Sequence, residues 1–517
     1  MVIMIDDTYL TKKNGIYEVR GAAGSGKTYQ LTKDIRKLSL SSNSIFIISY
    51  SNAAVDELKS RLNNPVLSIS TIHSFCWKIL SNLSLKIIKY NKDNNFSPDA
   101  FKDIKFNPQI IKKVTYEEGI PFFNNETGEL FLSHNDIINL FIYSIKEIPE
   151  LRMSISNTID YLLIDEYQDT NGKFLQSIFE YLSPNCTIGL YGDPCQSIYL
   201  NEDTINISSR YDITSESLKN NYRSRSTLVE FFNEFRNTFD KLDQVPQRTE
   251  TTKIHVFARN GSLNDETVTS IENKTNVHNE TILSLTNILR TKIVGLERIA
   301  KKLKKDFPKK NKVAWEKIMN PNSNEYTNIM NSYACIFQDN NYLAIKSLLK
   351  IFTKDSLEKV GLDSVKNLIT KKKKKNDPSI KEFLDLNLEM NAGLDSFKET
   401  INLFNLTDLN EIVEFYKVFD STTTKNITIF KSKGLEFENV LLNIDYGFYR
   451  KRNWNNINFN HKENDNRDTD QDIMYYLFYV GITRAKNNLN IYINSKQNKE
   501  FLNKFTVKFP DIEIQYI

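Results

Sequence analysis

The chain has 517 residues, 40% hydrophobic and 26% charged, an ordinary globular composition with room for about three or four domains. Lys plus Arg (68) exceed Asp plus Glu (64) by only four, so net charge neither demands nor excludes a polyanionic partner. No apolar run reaches membrane-spanning length, the first five residues lack a basic leader, and the four cysteines form no Cys-x-x-Cys pair, so the chain reads as cytoplasmic, without membrane contact, secretion signal or zinc knuckle.

The strand-like Ile16-Tyr17-Glu18-Val19 leads into Gly21-Ala22-Ala23-Gly24-Ser25-Gly26-Lys27-Thr28, and a helical pattern follows from Tyr29. A glycine, four arbitrary residues and Gly-Lys-Thr, set between a strand and a helix, is the phosphate-loop pattern. Small residues let backbone N–H groups curl around a β-phosphate, and the following helix aims its positive end at it. Lys27 reaches the β- and γ-phosphates, and the Thr28 hydroxyl can ligate magnesium. A nucleoside triphosphate and Mg2+ are therefore expected at this loop.

Ser44-Ile45-Phe46-Ile47-Ile48-Ser49 reads as a buried parallel strand because its apolar run is continuous rather than alternating. Ser51 then caps an expected helix, a short strand covers 66–69, and Thr71-Ile72-His73-Ser74-Phe75-Cys76 opens another helix. A histidine placed like His73 serves more often in structure than in catalysis. Residues 84–152 turn Asn-rich and charged, with helical periodicity over 136–148, and read as an inserted helical subdomain.

Tyr161-Leu162-Leu163-Ile164 restores the buried-strand pattern and delivers Asp165-Glu166-Tyr167-Gln168-Asp169-Thr170. Two adjacent carboxylates at the end of an apolar strand are costly to bury without a cation. Beside a phosphate loop, Asp165 holds the magnesium and Glu166 polarises the attacking water; an acidic helix start is the plainer alternative. A further strand, Thr187-Ile188-Gly189-Leu190-Tyr191, delivers Gly192-Asp193-Pro194-Cys195-Gln196-Ser197-Ile198-Tyr199. Gln196 can donate and accept at once, which suits sensing a γ-phosphate or its water. Tyr199 can stack on a base, although taken alone it would belong to the core.

With Tyr50-Ser51-Asn52-Ala53-Ala54, these ordered blocks resemble the superfamily 1A helicases of the UvrD, Rep and PcrA type. The resemblance implies an α/β fold of two RecA-like P-loop NTPase domains with parallel sheets, each carrying a mostly helical insert. Residues 1–84 and 152–211 would form domain 1A, 85–151 the insert 1B, 212–290 and 425–517 domain 2A, and 291–424 a basic, reduced 2B-like insert. It also implies that Tyr50, Ser51, Asn52, Thr71 and His73 touch single-stranded nucleic acid, and that Gln196 couples that strand to ATP.

Three later blocks extend the likeness. Leu218-Lys219-Asn220-Asn221-Tyr222-Arg223-Ser224 looks like the fourth motif, whose arginine, Arg223, lies across the domain cleft from the phosphate loop. Lys431-Ser432-Lys433-Gly434-Leu435-Glu436-Phe437 looks like the fifth, where Glu436 approaches the nucleotide sugar. Tyr475 to Lys486 is close to the sixth, with Arg484 as a second cross-cleft arginine. A guanidinium suits this task because it is always charged and bridges two phosphate oxygens. In the second insert, runs such as Lys371 to Lys375 read as solvated faces ahead of a nucleic-acid track.

The implied activity is ATP hydrolysis between two domains, coupled to 3′-to-5′ movement on single-stranded DNA or a tailed duplex. Three departures stand out. No glutamine precedes Gly21 to read adenine, Leu200-Asn201-Glu202-Asp203 stands where the family shows a second aromatic and an Arg-Gly pair, and the 2B insert is reduced. The short length and the altered third motif suit a second reading, a DNA-sensing ATPase that controls a partner nuclease; compact relatives serve beside a nuclease in anti-phage systems of the Gabija kind. About thirty residues follow Lys486, too few for a nuclease domain within this chain.

Overall fold

Continuous apolar runs ending in polar turns become the inner strands of two parallel sheets. The computed structural model describes residues 10, 14–41, 43–90, 110–116, 122–199, 211–295, 425–445, 453–463 and 469–517. Two compact units result, one of Met1–Thr251 with Asn460–Tyr479 and the other of Thr252–Phe459 with Val480–Ile517.

The first unit runs β1 (Gly15–Gly21), α1 (Lys27–Leu38), β2 (Ile45–Ser49), α2 (Asn52–Leu62), β3 (Ser68–Thr71), α3 (Ile72–Leu80), α4 (Ser84–Tyr90), β4 (Lys113–Tyr116), β5 (Phe122–Asn124), β6 (Glu129–Leu132), α5 (His134–Glu147), α6 (Pro149–Thr158), β7 (Tyr161–Asp165), α7 (Gly172–Tyr181), β8 (Thr187–Gly192) and β9 (Ile213–Leu218). Then come β10 (Asn220–Asn221), α8 (Ser226–Arg236) and β11 (Val245–Pro246). Its main sheet has the order β3-β2-β7-β8-β1-β9 and is parallel throughout. Successive side chains of a strand point to opposite faces, so Leu162 and Ile164 of β7 join a core with Phe174 and Ile178, while Tyr161 and Leu163 join one with Leu31 and Ile35 of α1. Each of these buried side chains contributes about 1.5–3 kcal/mol.

Parallel strands all point the same way, so their carboxyl ends share one edge, where α/β sheets bind ligands. Along that edge lie, in spatial order, Thr71, Tyr50, Asp165, Asp193, the phosphate loop and Asn221. The phosphate loop is three strands from β2, or ~14 Å at the usual strand spacing.

Two features differ from the sequence reading. The first insert also holds a small sheet, β4-β6-β5, whose strands of three or four residues are too short for their periodicity to register. The domain boundary expected after residue 211 falls inside the first unit, because β9 pairs in parallel with β1 from Ile16↔Ile213 to Gly21↔Leu218. Its sequence, Ile213-Thr214-Ser215-Glu216-Ser217-Leu218, is that of a largely exposed edge strand and lacks the apolar run that marks an inner one.

The second unit contains β12 (His255–Arg259), α9 (Asp265–Thr275), β13 (Thr281–Ser284), α10 (Asn287–Ile293), β14 (Asn426–Thr428), α11 (Ile429–Ser432), β15 (Phe437–Ile444), β16 (Ala485–Asn494), α13 (Lys499–Lys508) and β17 (Ile514–Tyr516). The sheet order is β14-β13-β15-β16-β12-β17, again parallel. Helix α12 (Thr469–Ile482) belongs to the first unit as far as Tyr479 and to the second from Val480. The Lys371 to Lys375 run, most of the second insert and Leu200 to Asp203 lie outside the described residues. Among the described residues no helix is long and apolar enough to cross a membrane.

Candidate functional site

The phosphate loop closes the turn from β1 to α1 with Gly24 (φ 83°) and Gly26 (φ 84°) in the left-handed region, which glycine enters without steric cost. A Cβ at Gly24 would lie 2.7 Å from Arg223 Cβ and 2.8 Å from Asn221 Oδ1, so the loop is also packed too tightly there for a side chain. Buried Lys27 donates from Nζ to the carbonyls of Gly21 (2.8 Å) and Ala22 (3.4 Å). Burial pulls its pKa down; Glu166, Asp193 and Asp165 oppose that, while Arg223 adds to it. Three carboxylates and one guanidinium therefore act on the charge of the loop lysine.

Asp165 ends β7, and its carboxyl is pushed up to about 7, first by burial and then by Glu166, against the pull of Lys27. Its Oδ1 is buried without a hydrogen-bond partner, as is Ser25 Oγ. Glu166 has left-handed backbone (φ 52°), which costs a non-glycine residue about 1–2 kcal/mol. Its carboxylate accepts from Gln168 Nε2, whose Oε1 accepts the Asp193 N–H (3.1 Å). Asp193 Oδ2 in turn accepts from Gln196 Nε2 (2.8 Å). The turns after β7 and β8 are thus one hydrogen-bonded assembly, and a Cβ at Gly192 would collide with Gln168 and Tyr167.

The family resemblance implies that Arg223 lies on the far side of a domain cleft, whereas it belongs to the same unit as the phosphate loop. The reason is β9, which runs beside β1 and delivers Asn221 to Arg223 against the loop. Tyr222 N–H donates to Gly24 O (3.0 Å), Asn221 Nδ2 to Ala23 O (3.0 Å), and Asn221 Oδ1 accepts from the N–H groups of Arg223 and Ser224.

Tyr50 and Tyr199, at the ends of the β2 and β8 turns, stack on each other with centroids 5.1 Å apart and planes at 19°. Tyr50 remains 42% exposed. Ser51 and Thr71 cap α2 and α3, accepting from Ala54 N–H (3.2 Å) and Ser74 N–H (3.3 Å), while Asn52 is exposed at the start of α2. His73 stacks on His134 of the insert at 4.2 Å, and His134 meets the Tyr116 hydroxyl. Burial first, and His134 second, depress the His73 pKa to about 4. A histidine whose folded pKa lies below its unfolded value of about 6.5 contributes stability above that value and loses it as pH falls towards 4. Thermal melts between pH 7 and 4 should therefore fall less steeply for His73→Gln than for the parent; equal slopes would remove His73 from this role.

In the second unit Arg484 is buried and bonded within that unit, from Nε to Val480 O (3.0 Å) and from Nη1 to Leu435 O (3.1 Å). Glu436 pairs with Lys486 (2.9 Å), and its side chain is 44% exposed. The sixth-motif arginine and the fifth-motif glutamate are thus carried by adjoining segments, since Phe437 N–H donates to Arg484 O (2.9 Å).

Residues 8–202 match the AAA domain family, and residues 259–496 match the UvrD-like helicase C-terminal domain. The chain is a UvrD-like helicase of superfamily 1A. Among proteins similar to this helicase is Gabija protein GajB of Bacillus cereus (strain HuB5-5), 23% identical over 90% of this chain and 77% of the relative. ATP-dependent DNA helicase PcrA of Staphylococcus aureus is 28% identical over 42% of the chain, and ATP-dependent DNA helicase Rep of Buchnera aphidicola is 27% identical over 36%. The matched stretch covers just over a third of those two helicases, 37% and 36% of their lengths.

Several residues of the helicase's nucleotide site carried no expected role. Asn221, Gln168 and Asp193 lie inside the recognised blocks, but what they bond depends on strands far apart in the sequence. Arg236 had a readable signal. It stands on the apolar face of a helical pattern with Leu228, Phe232 and Phe235, where a charge needs a buried partner.

Proposed function

We propose that the chain is an ATP-dependent DNA translocase and helicase that moves 3′ to 5′ on single-stranded DNA or a tailed duplex. The observation that carries this reading is the gathering of Lys27, Asp165, Glu166, Asp193 and Arg223 at one sheet edge, with Gln196 hydrogen-bonded to Asp193. Lys27 exchanges the Gly21 and Ala22 carbonyls for phosphate oxygens, and the loop N–H groups turn towards the same phosphates. Thr28 and Asp165 would hold a magnesium ion, whose charge offsets that of the phosphate oxygens, and the unpartnered Asp165 Oδ1 fits such a cation. Glu166 accepts the proton of the attacking water, Gln196 orients that water, and Arg223 stabilises charge on the transferred phosphoryl group. Tyr222, 60% exposed beside Gly24, offers a face for stacking any nucleobase, in keeping with the absent glutamine upstream.

The family resemblance implies that Arg484 and Glu436, which the second unit carries, act on the same nucleotide. Closure on ATP and release after hydrolysis then move the strand held by the loops after β2, β3 and β8. The likeness to the Gabija protein extends over nearly the whole chain, and this favours a second use of the same cycle: control of a partner nuclease in a cytoplasmic anti-phage complex.

ATPase assays with and without single-stranded DNA, followed by unwinding of 3′- and 5′-tailed duplexes, test both readings, with Lys27→Ala as control. DNA-stimulated turnover, opening of 3′-tailed duplex and loss of both in Lys27→Ala are expected. Stimulation without strand separation would point to the sensor. Unwinding from 5′ tails alone would contradict the polarity, and turnover indifferent to DNA would sink both readings.

A further inference from the structure

Arg236 ends α8, and its guanidinium is fully buried. Such a charge survives only when it is paired and hydrogen-bonded. Nε donates to Asp240 Oδ1 (2.8 Å), and Nη2 reaches Asp240 Oδ2 and Asp193 Oδ1 (the latter 2.9 Å). Nη1 donates to the Tyr479 hydroxyl (2.9 Å), and the guanidinium carbon lies 5.4 Å from that ring's centroid. Asp240, four residues on in the same segment, would neutralise Arg236 by itself. Asp193 is the informative partner, because it stands on the turn after β8 inside the nucleotide site.

Asp193 is fully buried and divides its oxygens between two tasks. Oδ1 meets Arg236 and the Cys195 N–H (3.2 Å); Oδ2 accepts from Gln196 Nε2 (2.8 Å). Its backbone N–H donates to Gln168, which donates to Glu166. One guanidinium therefore stands behind both the amide proposed to orient the water and the carboxylate proposed to deprotonate it. Glutamine is a rotamer-rich side chain, and a group that must act in the transition state gains from losing that freedom beforehand. Burial alone would raise the Asp193 pKa, but Arg236 and Lys27 outweigh it and hold the carboxyl below its ordinary value, so Oδ2 stays an acceptor for Gln196.

We propose that Arg236 is a positioning residue for ATP hydrolysis, anchoring Asp193 so that the Gln196 amide is held in its working orientation. The proposal rests on the nucleotide site described above. Steady-state ATPase of the full chain with saturating single-stranded DNA tests it, using Arg236→Lys, Gln196→Ala and the double variant, each with a thermal melt. Lysine keeps the charge but gathers its three donors on one atom, where Arg236 makes four bonds from three nitrogens, so kcat should fall about tenfold while KM for ATP stays within about twofold. Gln196→Ala should lower kcat about a hundredfold, and the double variant should fall no further than about twofold below it. Full kcat in Arg236→Lys, or losses that multiply in the double variant, would overturn the proposal. If Arg236→Lys does not fold, Asp193→Asn takes its place, with the same non-additivity expected and the same additivity fatal. Lys27→Ala run alongside keeps the two levels apart: retained turnover there removes the nucleotide site itself, whereas additive losses remove only the role of Arg236.

Discussion

Glu166→Gln is expected to lower kcat for ATP by about a thousandfold while leaving KM within about threefold, because a positioned general base typically supplies a factor of 10²–10⁴ and acts only in the transition state. Glutamine preserves the size of the side chain and can still meet Gln168, so the assembly joining Glu166, Gln168 and Asp193 should persist. The left-handed backbone at Glu166 supports the assignment: strand β7 on one side and the turn Tyr167–Asp169 on the other hold a conformation that would relax if nothing required it. The measurement is steady-state ATPase with saturating DNA beside nucleotide binding by the same variant. A loss below tenfold, or one carried mainly by KM, would take Glu166 out of the chemical step.

Arg223→Ala should cost a comparable factor, about 10³ in kcat, the lower end of what arginine fingers supply in phosphoryl transfer. Arg223→Lys should recover only part of it, since an ammonium cannot bridge two phosphate oxygens. The placement of Arg223 adds a sharper expectation. It sits in the same unit as the phosphate loop, its backbone N–H held by Asn221 and its neighbour Tyr222 bonded to Gly24, so it needs no movement of the second unit to reach the site. Its loss should therefore be proportionally the same with and without single-stranded DNA. Arg484 is carried by the second unit, and the loss in Arg484→Ala should be larger when DNA is present. ATPase titrations of both variants against DNA decide this; a loss in Arg223→Ala that appears only with DNA would place its action in closure.

Much of this site is legible in the sequence because its chemistry is local. Glycines that must turn left-handed, a lysine and a threonine at a helix start, and two carboxylates at the end of an apolar strand are all specified within a few consecutive residues. The inner strands are legible for a similar reason: a strand buried on both faces is apolar at every position, as Tyr161 to Ile164 are.

What the sequence by itself determined is the inventory: a phosphate loop at Gly21 to Thr28, the pair Asp165 and Glu166, Gln196 and the arginines, each at the end of an expected element. What only the tertiary structure decided is their neighbours. An edge strand with little apolar content, β9, moved Arg223 to the loop's own side. Strands distant in sequence brought Gln168 to Asp193, and a buried guanidinium on α8 reached Asp193 across more than forty residues. Local spacing specifies which groups a turn presents, whereas the order of strands in a sheet, set by long-range burial, determines which of those groups meet.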